Sequence, residues 1–361
     1  MASVGRVPQP VRRSLGEGGS GPAVVAPQSF LIIRLGSLGD VIHGIPAAAA
    51  LRRQFPDARL DWVVDPKYVE LLSLVEGLDR CIPFNPRDLV TRGQAWSVLG
   101  GLRAARYDAV IDLQGLLKSA VLARLAGGRR TIGFPKPHLR ESQASLFYTE
   151  TIDPGNARHV IEKGLRLVRA VGVTTTSINF PLRIPQTATA TKVASQFGAG
   201  GYALINPGAA WPNKRWQPTR FGAVAAALQR ERGLRSLVMW GPGEESLALA
   251  AARSSSGAAD VAPATVITDI VSIAHGAKVM VSGDTGPLHI AGAVGTPLVA
   301  LFGPTSAERN GPWAKADVTL SQVANCSCVY ERRCRKATPC IDDITVDAVA
   351  DAVRRRLDGH G

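Results

Sequence analysis

Asp40 follows a glycine-containing turn, Gly36-Ser37-Leu38-Gly39, that comes directly after an apolar run. An aspartate has an ordinary pKa of about 3.9, so Asp40 is ionised at neutral pH and can accept a proton from a hydroxyl within hydrogen-bond reach. Capping the next helix is the other role open to it. A second stretch, Asn206-Pro-Gly-Ala209-Ala210-Trp-Pro-Asn-Lys214, has small residues that let the backbone approach a ligand. Its Lys214 can neutralise a phosphate. A third, Ser282-Gly-Asp284-Thr285-Gly286-Pro-Leu-His289, turns from a strand into a helix. Its amides, the Thr285 hydroxyl and the helix dipole suit a pyrophosphate, with His289 one turn further along the same face. Asp284 can equally cap that helix. A histidine in an apolar helix, such as His289 or His43, ordinarily sits satisfied in a core.

Neither glycine loop has the Walker A spacing, and the first lacks the third glycine and downstream acid of a dinucleotide fingerprint. This disfavours a nicotinamide oxidoreductase. Of five cysteines, Cys81 stands alone, while Cys326, Cys328, Cys334 and Cys340 cluster. Four thiols so close can hold a tetrahedral zinc, stay reduced, or pair as disulfides, and the spacing departs from C-x2-C pairs. The N-terminus has no apolar stretch of the signal-peptide kind, which favours thiols or metal.

These loops need strands and helices to carry them. Phe30–Leu35, Leu60–Val64, Ala109–Leu113 and Thr131–Phe134 read as strands, separated by helical stretches at Ile45–Phe55 and Leu116–Leu125. A second series begins at Tyr202, with strands Tyr202–Asn206, Ser236–Trp240, Lys278–Ser282 and Leu298–Phe302 and helices Arg220–Arg232 and Pro287–Val294. Strand-helix alternation predicts parallel sheets covered on both faces. The expected architecture is α/β, two doubly wound domains facing a central cleft. Residues 1–28 read as a disordered extension, 29–180 as the first domain, 181–345 as the second and 346–361 as a C-terminal helix. The Thr-rich, proline-broken Thr174–Thr191 is the linker candidate.

At 361 residues the chain exceeds one ordinary core. No apolar run reaches the roughly 18 residues of a membrane span. The formal net charge of +13 calls for an anionic partner or surface. Nucleic acid is one such partner, but no helix-turn-helix, RRM or finger signature is present.

Six segments, GSLGDVIHGIPA, YDAVIDLQGLLKSA, RESQASLFY, NKRW, WGPGEE and SGDTGPLHIA, together resemble the heptosyltransferases of glycosyltransferase family 9. Their order and spacing match from about Phe30 to Pro304. The middle segments are most similar to the branch that adds the first heptose to the Kdo of the lipopolysaccharide inner core. The resemblance implies a GT-B fold, the acceptor on the first Rossmann-like domain and the nucleotide-sugar on the second. It implies ADP-L-glycero-D-manno-heptose as donor, inversion at the anomeric carbon, and neither metal nor cofactor. It makes Asp40 the general base. Lys214, Asp284, Thr285, Gly286 and His289 become donor contacts, Glu245 an acid near the ribose, and Lys118 and Arg140 partners of the anionic acceptor. Family members of that branch carry two threonines where this chain has Ala209 and Ala210. A cytoplasmic enzyme peripheral to the inner membrane, binding a Kdo–lipid A type glycolipid, is the resulting expectation. The rival is a family 9 transferase with another nucleotide-sugar or acceptor.

Overall fold

The computed structural model describes residues 27–86 and 94–359. The expected N-terminal extension lies almost entirely outside them. Strands β1 (Ser29–Ile33), β2 (Arg59–Val64), β3 (Arg80–Pro83), β4 (Ala109–Asp112), β5 (Arg130–Gly133) and β6 (Glu150–Thr151) form one parallel sheet in the order β3-β2-β1-β4-β5-β6. Strands β7 (Ala203–Asn206), β8 (Ser236–Val238), β9 (Ala259–Val261), β10 (Val279–Gly283), β11 (Leu298–Phe302) and β12 (Val318–Ser321) form a second, ordered β12-β11-β10-β7-β8-β9. Both orders reverse once, between β1 and β4 and between β7 and β10. Reversals of this kind open a crevice at the carboxyl ends of the strands.

The first sheet is flanked by α1 (Leu38–Gln54), α2 (Val69–Leu72), α3 (Gln94–Ala104), α4 (Leu117–Leu125) and α5 (Val160–Val168). The second is flanked by α6 (Ala188–Phe197), α7 (Pro218–Arg232), α8 (Glu245–Arg253), α9 (Ile267–Gly276), α10 (Gly286–Ala293), α11 (Ala307–Asn310) and α12 (Val346–Leu357). This is the GT-B architecture. Helix α12 buries Val349, Ala352 and Val353 in the core of the second unit, so the C-terminal helix is part of that unit. Between the units the chain runs without regular structure, held to the first by a bridge between Val75 and Leu182.

Helix α1 explains how the two units meet. Its first half is buried on all sides, from Val41 through Ala48, because one face lies on the first sheet and another meets the second unit. Small residues set the approach. A Cβ on Gly39 would stand 2.4 Å from the His289 ring, and one on Gly286 would stand 2.5 Å from Leu38. The N-terminal turns of α1 and α10 therefore touch. Phe180 stacks on Trp313 at 4.4 Å beside this seam, and His159 bonds the Gly311 carbonyl at 3.0 Å.

Candidate active site

The turn after β1 delivers Asp40 as the third residue of α1. Its Oδ2 accepts from the Ser37 amide at 3.0 Å and the Ser37 hydroxyl at 3.1 Å, which satisfies an otherwise orphaned helix donor. Its Oδ1 accepts from Arg34 Nη2 at 2.5 Å. Arg34 is itself fixed, donating also to the Leu113 carbonyl. Capping and chemistry thus coexist at Asp40, whose side chain keeps 28% of its surface accessible. Burial pushes this carboxyl up, but Arg34, Arg309 and the Ser37 hydrogen bonds outweigh that and hold it below its ordinary value.

Asp40 opens into a cavity of about 290 Å³ whose wall includes Arg34, His43, Arg140, Lys163 and Arg309. The loop after β4 supplies another part of that wall and is shaped by the buried Asp112. That carboxylate accepts from Ser119 and Tyr148, each at 2.8 Å, and from the amides of Gln114 and Gly115. Asp112 thereby ties the YDAVIDLQGLLKSA segment to the ASLFY segment. Arg140 lines the cavity from an exposed position, whereas Lys118 is exposed on α4 outside its wall.

The second unit places its loops across the seam. Lys214 Nζ donates to Asp284 Oδ2 at 2.5 Å and lies 4.5 Å from the centre of the Trp211 ring. Asp284 also accepts from Thr305 and Asn310, both at 2.8 Å, and faces His289 Nε2 at 3.3 Å. Burial would raise the Asp284 carboxyl, yet the His289 contact and Lys214 hold it far below the usual carboxylate range. Asp284 therefore orients Lys214 and His289; His289 is buried against His43, while Lys214 keeps 15% of its side-chain surface accessible. Thr285 caps α10, its hydroxyl bonded to Asn206 and Ser282 at 3.0 Å each. The first amides of α10 have no carbonyl within their own helix to meet.

Ala209 is buried and its carbonyl accepts from Arg215 at 2.8 Å, while Ala210 is exposed. Glu245 is exposed as the first residue of α8, and it is Glu244 that turns inward. A Cβ on Gly208 would lie 2.0 Å from Glu244 Oε2, and Arg215 approaches Glu244 at 3.3 Å. Glu244 sits before the helix, so its side chain is free to point back at the loop; Glu245 projects from the helix into solvent.

Arg34, Lys163, Arg309, Thr305 and Asn310 escaped the sequence reading. Arg34 ends the apolar run of β1, where a lone arginine is the visible signal. The others come from separate elements with no shared spacing. All five thiols are free; the Cys326 and Cys328 sulfurs lie 3.6 Å apart, and burial pushes the Cys340 thiol up to about 12. Among the described residues no three Cys, His, Asp or Glu side chains converge as a metal site.

His43 packs against His289 at 4.5 Å and His159 at 5.4 Å between ring centres. Burial, with those rings and Arg34, keeps His43 well below the ordinary imidazole value, so it is neutral at pH 7.

Known proteins share both sequence and shape with this chain. It is 28% identical over 318 residues to lipopolysaccharide heptosyltransferase 1 of Pseudomonas aeruginosa, spanning 84% of this chain and 86% of that one. It is 30% identical over 303 residues to the protein of that name from Escherichia coli K12, spanning 79% and 91%. The solved structure of E. coli heptosyltransferase WaaC with ADP superposes with a TM-score of 0.72 at 26% identity, covering 92% of this chain and 99% of that one. WaaC with ADP-2-deoxy-2-fluoro heptose gives 0.71 at 26% identity, with 91% and 99% covered. The profile of glycosyltransferase family 9 (heptosyltransferase) matches residues 95–339. With two facing Rossmann-ordered units and that match, the chain belongs to glycosyltransferase family 9, and it is a glycosyltransferase.

Proposed function

We propose that this enzyme transfers L-glycero-D-manno-heptose from ADP-heptose to the Kdo of a lipopolysaccharide inner core, with inversion and with Asp40 as general base. One observation carries the reading. A carboxylate at the mouth of a cation-lined cavity on the first unit lies beside the seam where the second unit presents Lys214 and the start of α10.

In a single displacement the acceptor oxygen bonds to the anomeric carbon as the bond from that carbon to the phosphate oxygen breaks. Asp40 takes the hydroxyl proton, and ADP leaves with the electron pair. Negative charge grows on the departing phosphate, where Lys214 and the amides of Thr285 and Gly286 stabilise it; each such donor is worth roughly 10²–10³-fold. Lys214 has three N–H donors, so pairing with Asp284 leaves it able to meet a phosphate oxygen. Glu244, which turns to the Gly208 loop, takes the role of accepting from ribose hydroxyls in place of the exposed Glu245, with Ala209 and Ala210 offering backbone amides. Every step uses this chain's own residues, and the expectation is full turnover in EDTA.

The acceptor is an anionic glycolipid. Leu117 and Leu146 are exposed at 41% and 72%, Leu117 next in sequence to the exposed Lys118. Exposed leucines with a lysine suit the headgroup region of the inner membrane's cytoplasmic leaflet. No helix among the described residues is long and apolar enough to cross a membrane.

ADP release from ADP-heptose with Kdo–lipid A tests the reading, together with the anomeric configuration of the product. Turnover lost in Asp40→Ala while ADP-heptose binding persists supports the base assignment. A folded wild type that releases no ADP overturns the donor or acceptor assignment and directs a screen of other nucleotide-sugars.

A further inference from the structure

The cavity beside Asp40 contains more positive charge than the proposed chemistry uses. Arg34 is committed to Asp40 and the Leu113 carbonyl. Lys163 on α5 and Arg309 on α11 line the same cavity, and neither side chain has a hydrogen-bond or ion-pair partner among the described residues. They lie close enough to repel. Burial and Arg309 both push the Lys163 ammonium below its ordinary value. The nearest carboxylate, Asp40, is already bonded to Arg34, so these two cations leave positive charge at the cavity wall that a bound anion can meet. An independent observation points the same way. His43 is 3% exposed, lines this cavity, and leaves both ring nitrogens without a partner. A buried imidazole in that state can meet a polar group that enters the cavity.

The cavity's volume, about 290 Å³, is at the small end of ligand pockets, which run from roughly 300 Å³ upward. A group held here shares the cavity with the hydroxyl that Asp40 deprotonates. It therefore belongs to the reacting sugar ring itself, which excludes a phosphate one or more residues away. Of the anionic groups one sugar ring can carry beside its reacting hydroxyl, the carboxylate of a sugar acid is the one that the acceptor reading above supplies.

We infer that Lys163 and Arg309 are the specificity-determining pair for the acceptor's carboxylate, and that the acceptor site is incomplete without the second unit, because Arg309 belongs to it. This rests on the acceptor reading above. The first unit supplies Asp40 and Lys163; the second supplies the cation that completes the anion subsite. Acceptor binding then favours the juxtaposed arrangement of the two units, and by reciprocity a donor that favours the same arrangement tightens acceptor binding.

The test compares a Kdo glycoside with its carboxamide, for wild type, Arg309→Gln, Lys163→Gln and Arg309→Lys. Binding is measured calorimetrically in the presence of ADP, and KM and kcat are measured with ADP-heptose. Charge-assisted hydrogen bonds of this kind are worth roughly tenfold or more each in affinity. Wild type is expected to prefer the carboxylate at least about tenfold. Arg309→Gln and Lys163→Gln should lose most of that preference while donor KM stays within about twofold, and Arg309→Lys should regain part of it. Undiminished discrimination in Arg309→Gln and Lys163→Gln, or none in wild type, overturns the inference. The binding arm needs no turnover. Discrimination without heptose transfer would therefore sink the donor reading and keep the subsite, and turnover without discrimination would do the reverse.

Discussion

Arg34 and Asp40 share a 2.5 Å charge-assisted hydrogen bond at the mouth of the cation-lined cavity. The arginine favours the ionised Asp40 carboxylate against the burial that opposes it. Replacing Arg34 with Met leaves burial less opposed, so the Asp40 pKa rises. In wild type the acid limb of kcat/KM set by Asp40 lies below its ordinary value of about 3.9. In Arg34→Met that limb moves upward, and activity near pH 5 falls relative to pH 8. A pH–rate profile with the acid limb unmoved contradicts this role. Asp40→Asn is expected to lower kcat by roughly 10²–10⁴-fold at every pH.

Lys214 and Asp284 are both largely buried, at 15% and 5% side-chain exposure. Removing one member of a buried pair costs roughly 3–5 kcal/mol. In Lys214→Ala the carboxylate keeps Thr305, Asn310 and His289, so the low end, about 3 kcal/mol, is expected in denaturant unfolding. ADP affinity should fall with it. Because Asp284 titrates lower when folded than unfolded, its contribution is complete above about pH 4 and drains away as pH falls towards its folded value. Lys214→Ala should flatten that acid dependence.

The seam between α1 and α10 has no room for side chains at Gly39 and Gly286. Gly39→Val would drive a branched side chain into the His289 ring. The expected result is two folded units held apart, seen as a larger radius of gyration in scattering, with turnover down at least about tenfold, as expected when reacting groups are displaced. Unchanged scattering and rate would mean that the seam yields without consequence.

The alanines of the loop after β7 differ in what they tolerate. Ala210 is exposed, so Ala210→Thr can present a hydroxyl to a phosphate, worth about 1 kcal/mol or roughly fivefold in ADP affinity. Ala209 is buried, and Ala209→Thr overpacks at a cost of about 1–3 kcal/mol in stability. Titration with ADP and thermal unfolding distinguish the two.

Central strands were legible because they are unbroken apolar runs: β1, β4, β7, β10 and β11 all lie within or next to the stretches read as strands. The edge strands β3, β6, β9 and β12 were not. They are short and partly exposed, and β6 has only two residues, so no periodicity marks them. Helix α1 runs through Pro46 to Gln54, close to the end expected at Phe55. Lys214 and Asp284 were each visible as chemistry-bearing residues, but their ion pair was not, because it joins two loops that meet only at the switch point between β7 and β10. Arg309 left no trace, since a single arginine in an exposed turn looks like any solvated charge. It acquires meaning only through the cavity it borders.

The matching reversal of strand order in the two sheets has a consequence for how such an enzyme can diversify. Each sheet opens its own crevice, so the loops after β1 and β4 can vary apart from those after β7 and β10, except where α11 reaches the first unit's cavity through Arg309. What must stay constant is the pair of glycine-bearing helix tips at which the two units touch.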